Sequence, residues 1–192
     1  MGRLILFTRV FNFGALWQFW HSGNSPCLRA SVVDFGFMPK RILDSPDALK
    51  DLVGQELAVT DWFTVTQERI QQFADATLDH QWIHVDVERA RRESPFRAPI
   101  AHGFLTLSLL PHFMHQALEI RQGVRLGVNY GLNRVRFVSP VRTGSKIRAR
   151  ISLQSLKDVS LNAIEVIFNV TVEVEGNDKP CCVAEWIARY YR

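Results

Sequence analysis

Gly103-Phe104-Leu105-Thr106-Leu107-Ser108-Leu109-Leu110 is the stretch on which the fold turns. Its only polar side chains are two hydroxyls, so a helix over it is apolar on all sides, which predicts burial. The pattern carries that helix past Pro111, with a kink there, towards Glu119. A helix of this kind needs apolar surface around it, and the residues downstream supply one.

Ile147, Ala149, Ile151 and Leu153 alternate with Lys146, Arg148, Arg150 and Ser152. Ile164, Val166, Phe168, Val170, Val172 and Val174 alternate with Glu165, Ile167, Asn169, Thr171 and Glu173. Trp186, Ala188 and Tyr190 alternate with Glu185, Ile187 and Arg189. Period-two alternation marks a sheet with one face buried and one wet, hence antiparallel. A shorter run, Asn133 to Val138, ends at Pro140, and Gly144 opens the next turn. The apolar face of such a sheet must be covered, and the apolar helix is the filler at hand. The expected fold is α+β: a long curved antiparallel sheet wrapped around a central buried helix, the hot-dog arrangement.

Upstream, Ser45-Pro46-Asp47 reads as a helix start, with a serine cap, proline at the first position and an acid in the first turn, and Gly54 ends that element. Glu56 to Val65 reads as a strand with Trp62 and Phe63 near its end. Thr66 then caps an amphipathic helix with Ile70, Phe73, Ala74 and Thr77 on one face and Gln67, Gln71, Gln72 and Asp75 on the other.

Residues 1–37 differ from the rest. They hold eight of the 21 aromatics (Phe7, Phe11, Phe13, Trp17, Phe19, Trp20, Phe35, Phe37) and a single acid, Asp34. They read as an N-terminal extension: first as sequence upstream of a start at Met38, next as a targeting segment, then as a structured addition. The domain proper is expected over residues 38–192.

Of the 192 residues, 47% are hydrophobic and 22% charged, enough to bury a core, which excludes a disordered chain. No run approaches about 18 apolar residues, so no membrane span is expected. Three cysteines, with Cys181 and Cys182 adjacent, form no disulfide framework and fit a reducing, cytoplasmic setting. The net charge of +4 is small and dispersed, so no nucleic-acid partner is expected.

Proton-handling groups are densest at Asp75, Asp79, His80, His84 and Asp86, with Ala101-His102-Gly103 following at the mouth of the apolar helix. If helical, His80 and His84 would share a face as in a zinc metalloprotease. That chemistry needs a glutamate base at the second position, and Gln81 cannot accept a proton. His112 and His115, three apart, have no evident third ligand and read as a helix-surface pair. The other reading of Asp79 and His84 is a carboxylate and an imidazole converging on one water. General acid–base work needs one group to take a proton and another to return one. Asp79 would need partial burial for this, with Leu78, Trp82 and Ile83 as apolar neighbours. Spacing alone favours a structural Asp–His pair, the commoner reading of such a pair in a loop.

Asp79-His-Gln-Trp-Ile-His84-Val-Asp86, followed by Pro99-Ile-Ala-His-Gly-Phe104, resembles the MaoC-like, R-specific enoyl-CoA hydratase family. That family's motif has the form Asp-x-Asn-Pro-(aliphatic)-His-x-Asp, with a downstream (aliphatic)-x-His-Gly-(apolar). Asn129-Tyr-Gly-Leu-Asn-Arg-Val-Arg-Phe137, then Pro140-Val141 and Gly144, fits the family's later strand and turn. The resemblance covers most of residues 45–192, with its motifs in order. It is strongest to the single hot-dog bacterial subgroup that includes the nodulation protein N-like proteins.

The resemblance implies that Asp79 and His84 are the catalytic pair, and that the Gly103 N–H receives the thioester oxygen. A helix N-terminus favours negative charge there, and glycine lets the thioester approach the backbone closely. Gln81 and Trp82 depart from the family's asparagine and proline. Gln81 can still hydrogen-bond, and Trp82 is expected to narrow or line the acyl pocket, so both bear on substrate length more than on reaction type. Ser108 joins them as a candidate substrate-binding residue, although its hydroxyl, like that of Thr106, could simply bond back to the helix. His102 reads as a supporting or structural histidine.

The implied reaction is hydration of a trans-2-enoyl-CoA to the R-3-hydroxyacyl-CoA and its reverse, with an acyl-CoA thioester as substrate and no metal or redox cofactor. Arg89, Arg91, Arg92 and Arg97 could meet coenzyme A phosphates or form a solvated helix face. Single hot-dog units of this family imply a homodimer joined edge to edge, which a long unpaired sheet edge also favours. The rivals are an acyl-CoA thioesterase, which has no need of Asp79 and His84 at this spacing, and a non-catalytic hot-dog accessory or acyl-binding protein.

Overall fold

The computed structural model describes residues 40–192, so the readings placed on residues 1–37 lie outside the described residues. The three strongly alternating runs form β6 (Lys146–Ser160), β7 (Ala163–Val174) and β8 (Cys182–Tyr191), with most apolar positions buried and most intervening ones at least partly open, Glu165 being buried and Tyr190 half-buried. They pair antiparallel, Ile151 opposite Val170 and Val170 opposite Ala184. The main sheet has the order β2-β6-β7-β8-β5, where β2 is Glu56–Val59 and β5 is Leu126–Phe137, and β3 (Phe63–Thr64) also pairs with β6. Register shifts in β2, β5 and β6 bend the sheet, since each bulge adds local twist. A short parallel pair joins β1 (Arg41–Leu43) to β4 (Leu118–Ile120).

The sheet wraps helices, as expected of a hot-dog fold. Helix α5 (Leu110–Ala117) buries Leu110, Phe113, Met114 and Ala117 in the same cluster as Ile151, Val166, Phe168 and Trp186. Burying a side chain the size of Phe113 contributes about 1.5–3 kcal/mol.

Five expectations change in detail. The helix from Gly103 does not bend at Pro111. It stops as α4 (Gly103–Ser108), turns at Leu109, and restarts as α5 with Pro111 in its first turn; the missing proline N–H costs nothing there. Glu119 falls in β4 rather than in the helix. Nor is α4 covered on every side, because Phe104 is 69% exposed and Ser108 is also open. The strand expected over 56–65 is two strands: Thr60 breaks the ladder with its side chain, whose hydroxyl accepts from the Ala149 N–H at 2.9 Å. β5 starts at Leu126, not Asn133, and register shifts around Tyr130 and Asn133 scramble its period-two signal.

The segment from Ser45 is a 3-10 turn, Pro46–Leu52, whose Ser45 side chain makes no capping bond. Thr66 does cap α1 (Gln67–Thr77), accepting from the Arg69 N–H at 3.3 Å. Ile70 and Ala74 are buried on its inner face, while Thr77 is exposed and donates to the Phe73 carbonyl. No helix among the described residues is long and apolar enough to cross a membrane.

Candidate active site

Helix α1 ends at Leu78, a non-glycine residue with φ of 62°, and this left-handed turn swings the chain into the loop carrying Asp79. Two short helices follow, α2 (Trp82–Val85) and α3 (Val87–Glu93). Three members of the proton-handling cluster have local tasks. Asp75 and His80 pair with each other at 2.9 Å on the surface, and Asp86 caps α3 by accepting from the Arg89 N–H at 2.9 Å. That leaves Asp79 and His84. Because α2 begins only at Trp82, His80 and His84 do not share a helical face.

His84 is 7% exposed. Its Nδ1–H donates to the Ile100 carbonyl at 2.6 Å, which leaves Nε2 as an acceptor, and its own carbonyl accepts from the Gln67 side-chain amide at 2.7 Å. Burial pushes the imidazole below its ordinary pKa of 6.5. The Ile100 carbonyl opposes that shift, neighbouring His102 adds to it, and Asp79 opposes it again. The segment bearing Ile100 is itself held, with the Ile100 N–H on the Ile83 carbonyl and the Ala101 N–H on the Val141 carbonyl.

Ligand atoms of Asp79, His84 and His102 lie within 4.8 Å of one another. The Asp79 side chain is 55% exposed and accepts only weakly, from the Gln81 N–H at 3.4 Å. The apolar shelter expected for it does not form in the single chain: the left-handed turn sends Leu78 outward, 82% exposed. The His102 ring stacks on that of His84 with centroids 3.7 Å apart and planes 26° apart. Metals bind imidazole in the ring plane at about 2.0–2.1 Å, and one ion cannot lie in two stacked planes. The trio therefore fits proton transfer better than a metal.

Gly103 and His84 line one hollow of about 310 Å3, together with Phe96, Phe137, Val138 and Cys181. The Gly103 N–H has no backbone partner among the described residues, while His102 closes the first turn of α4 by accepting from Leu105 and Thr106. With only six residues in α4, the local field comes from these end N–H groups, as a dipole's effect is confined to the first turn in any case.

Other candidate residues lie apart. Trp82 lines neither this hollow nor its neighbour and sits under the Arg89 guanidinium, 4.4 Å from its ring centroid. Gln81 is exposed, and only its backbone N–H reaches Asp79. Ser108 donates back to the Leu105 carbonyl at 2.8 Å. It lines a second, mainly apolar hollow of about 480 Å3 with Phe73, Phe104, Leu107, Tyr130, Leu132 and Trp186. Arg89 and Arg91 are paired with Glu93 and Glu88. His112 packs edge-on against Phe63. Phe137 was missed as a site wall, because in the sequence it is one more strand residue.

The family model of the MaoC like domain matches residues 49–176. The chain belongs to the MaoC-like dehydratase family. It is 50% identical over 150 residues to a 3-hydroxyacyl-thioester dehydratase Z of Mycobacterium tuberculosis, covering 78% of this chain and 98% of the relative. To the nodulation protein N of Rhizobium meliloti it is 48% identical over 140 residues, 73% of this chain and 87% of the relative. Its fold matches that of a monoamine oxidase regulatory protein from Archaeoglobus fulgius, with a TM-score of 0.65 at 24% identity over 81% of this chain and 99% of the other. It also matches an (R)-hydratase from A. caviae, with a TM-score of 0.57 at 20% identity over 71% and 94%. As a MaoC-like dehydratase the chain is a hydro-lyase by class.

Proposed function

We propose that this MaoC-like protein adds water reversibly to a trans-2-enoyl-CoA, giving the R-3-hydroxyacyl-CoA, with Asp79 and His84 as the proton-transfer pair and the Gly103 N–H as donor to the thioester oxygen. The observation that carries the reading is the Asp79 carboxylate within 4.8 Å of a His84 ring nitrogen, while His84, its Nδ1–H tied to the Ile100 carbonyl, lines one hollow with Gly103. A water held between the two groups delivers hydroxide to C3 as one of them takes its proton, and a proton reaches C2 from the same face. The thioester oxygen carries the enolate charge meanwhile, and each donor aimed at it is worth about 3 kcal/mol in a water-excluded site. The thioester itself acidifies the alpha carbon, so these residues suffice for the proton chemistry.

The acyl chain reads toward the apolar hollow beneath Phe104, Leu107 and Trp186, with Ser108 on its wall. Coenzyme A phosphates read toward Arg92 and Arg97, as Arg89 and Arg91 are committed to neighbouring acids. A second copy of the chain supplies what one copy lacks. Among the described residues β5 pairs only with β8 and exposes Leu126, Val128, Tyr130, Leu132 and Phe137, an edge that pairing removes from water.

The test is loss of the conjugated enoyl-thioester absorbance on mixing purified protein with crotonyl-CoA and longer enoyl chains. Asp79→Asn and His84→Gln should each lower kcat by about 100-fold or more. Release of free thiol without hydration points to a thioesterase instead. A folded protein inert toward every chain length sinks the hydratase reading.

A further inference from the structure

His102 is among the most buried polar residues described, at 3% exposed, and the proton chemistry leaves it without a task. Its ring packs against two others, stacked on His84 at 3.7 Å and tilted against Phe73 at 5.1 Å. Its Nε2 is 2.9 Å from the Asp79 main-chain carbonyl. A carbonyl can only accept, so the ring proton sits on Nε2. Nδ1 is buried without a partner, and a proton there would be an unsatisfied buried donor. The backbone of His102 is anchored independently, its carbonyl accepting from Leu105 and Thr106 at 3.1 and 3.3 Å. Asp79, by contrast, sits in an exposed loop after a strained turn, with its carboxylate scarcely held.

Taking the hydratase reading as its basis, we propose that His102 is a positioning residue: its Nε2–H ties the Asp79 loop to the first turn of α4 while its ring face sets the plane of His84, so that the carboxylate, the imidazole and the Gly103 N–H form one rigid unit. The tie acts at Asp79 itself, upstream of the Ile83–Ile100 and His84–Ile100 hydrogen bonds that join the same two segments. A misplacement of about 1 Å in such a constellation costs about 100-fold in rate, so one buried hydrogen bond here governs turnover without touching substrate.

The experiment compares wild type, His102→Gln and His102→Phe. Glutamine keeps an N–H within reach of the Asp79 carbonyl, whereas phenylalanine keeps the stack and the volume but has no donor; methionine replaces phenylalanine if that protein does not fold. Two readouts are taken: kcat and KM for enoyl-CoA hydration, and amide hydrogen exchange of His80 and Gln81. His102→Phe should lower kcat by about 100-fold with KM within about threefold, and should speed exchange in the Asp79 loop. His102→Gln should recover both, with kcat within about tenfold of wild type. The proposal is overturned if His102→Phe keeps wild-type kcat, if the loss lies in KM alone, or if glutamine restores loop protection but not kcat. An inactive wild type removes the hydratase reading, not this one. Exchange then decides, and equal protection in all three proteins overturns the tie.

Discussion

The Phe137 ring occupies the space that a side chain on Gly103 would need: a Cβ built there meets Phe137 Cδ2 at 2.7 Å and Cγ at 2.8 Å. A residue at the end of an edge strand thus dictates glycine at the mouth of α4. Phe137 also packs edge-on against Phe104, with centroids 5.6 Å apart, so the aromatic pair frames the Gly103 N–H.

Gly103→Ala must therefore displace Phe137 or tilt the first turn of α4. Turnover should fall about 10–100-fold, toward the loss seen when an oxyanion donor is removed. Melting should change little, because the 44% exposed ring can swing outward. Adding Phe137→Ala to that variant should restore part of the activity. A double variant no better than Gly103→Ala would mean that the methyl blocks substrate directly.

The pH dependence follows from His84. Burial, the largest influence on the ring, lowers its pKa below 6.5, reinforced by His102 and opposed by the Ile100 carbonyl and Asp79. On the proposal that the neutral His84 ring takes the water's proton, the acid limb of kcat/KM should have its midpoint below 6.5. The unfolded chain binds a proton near 6.5 that the folded chain resists. Stability from the neutral ring is thus full above that value and declines as pH falls beneath it. Denaturant melts of wild type and His84→Gln from pH 5 to 8 check this: only wild type should show the His84 contribution to the slope.

Leu78 offers a stability test independent of catalysis. It holds φ of 62° with its side chain in water, a conformation that costs a branched residue about 1–2 kcal/mol and glycine almost nothing. Leu78→Gly should raise the unfolding free energy by about 0.5–1 kcal/mol, after allowing for glycine's looser unfolded chain. A lower melting midpoint would show that the exposed leucine is covered in the assembled protein.

Light scattering after size exclusion should give wild type twice the chain mass. Leu132→Glu, which places a charge on the open β5 edge, should give single chains with reduced turnover. A fully active monomeric wild type would remove the edge-pairing proposal.

Much of the fold could be read locally. Ile147 to Leu153 and Ile164 to Val174 alternate because neighbouring side chains on a strand face opposite ways, and the burial of every second residue confirms it. β5 was half hidden, since a bulged edge strand buries little and keeps no clean period. The helix end at Leu109 and the strand break at Thr60 were hidden too, the first set by a turn with no glycine or proline of its own and the second by hydrogen bonds to a partner distant in sequence.

Sequence by itself determined the alternating strands, the apolar helix between them and the motif that places Asp79, His84 and Gly103 in order, because side-chain spacing along one segment is a local property. Only the tertiary structure decided which of the five proton-handling residues face one another. It turned Asp75, His80 and Asp86 to local pairs and caps, left Trp82 under Arg89, and set His102 against both the Asp79 carbonyl and the His84 ring. The physical reason is that a side chain's direction depends on the turn that carries it. The left-handed residue at Leu78, the short α2 and the break before α5 arise where packing overrides local preference.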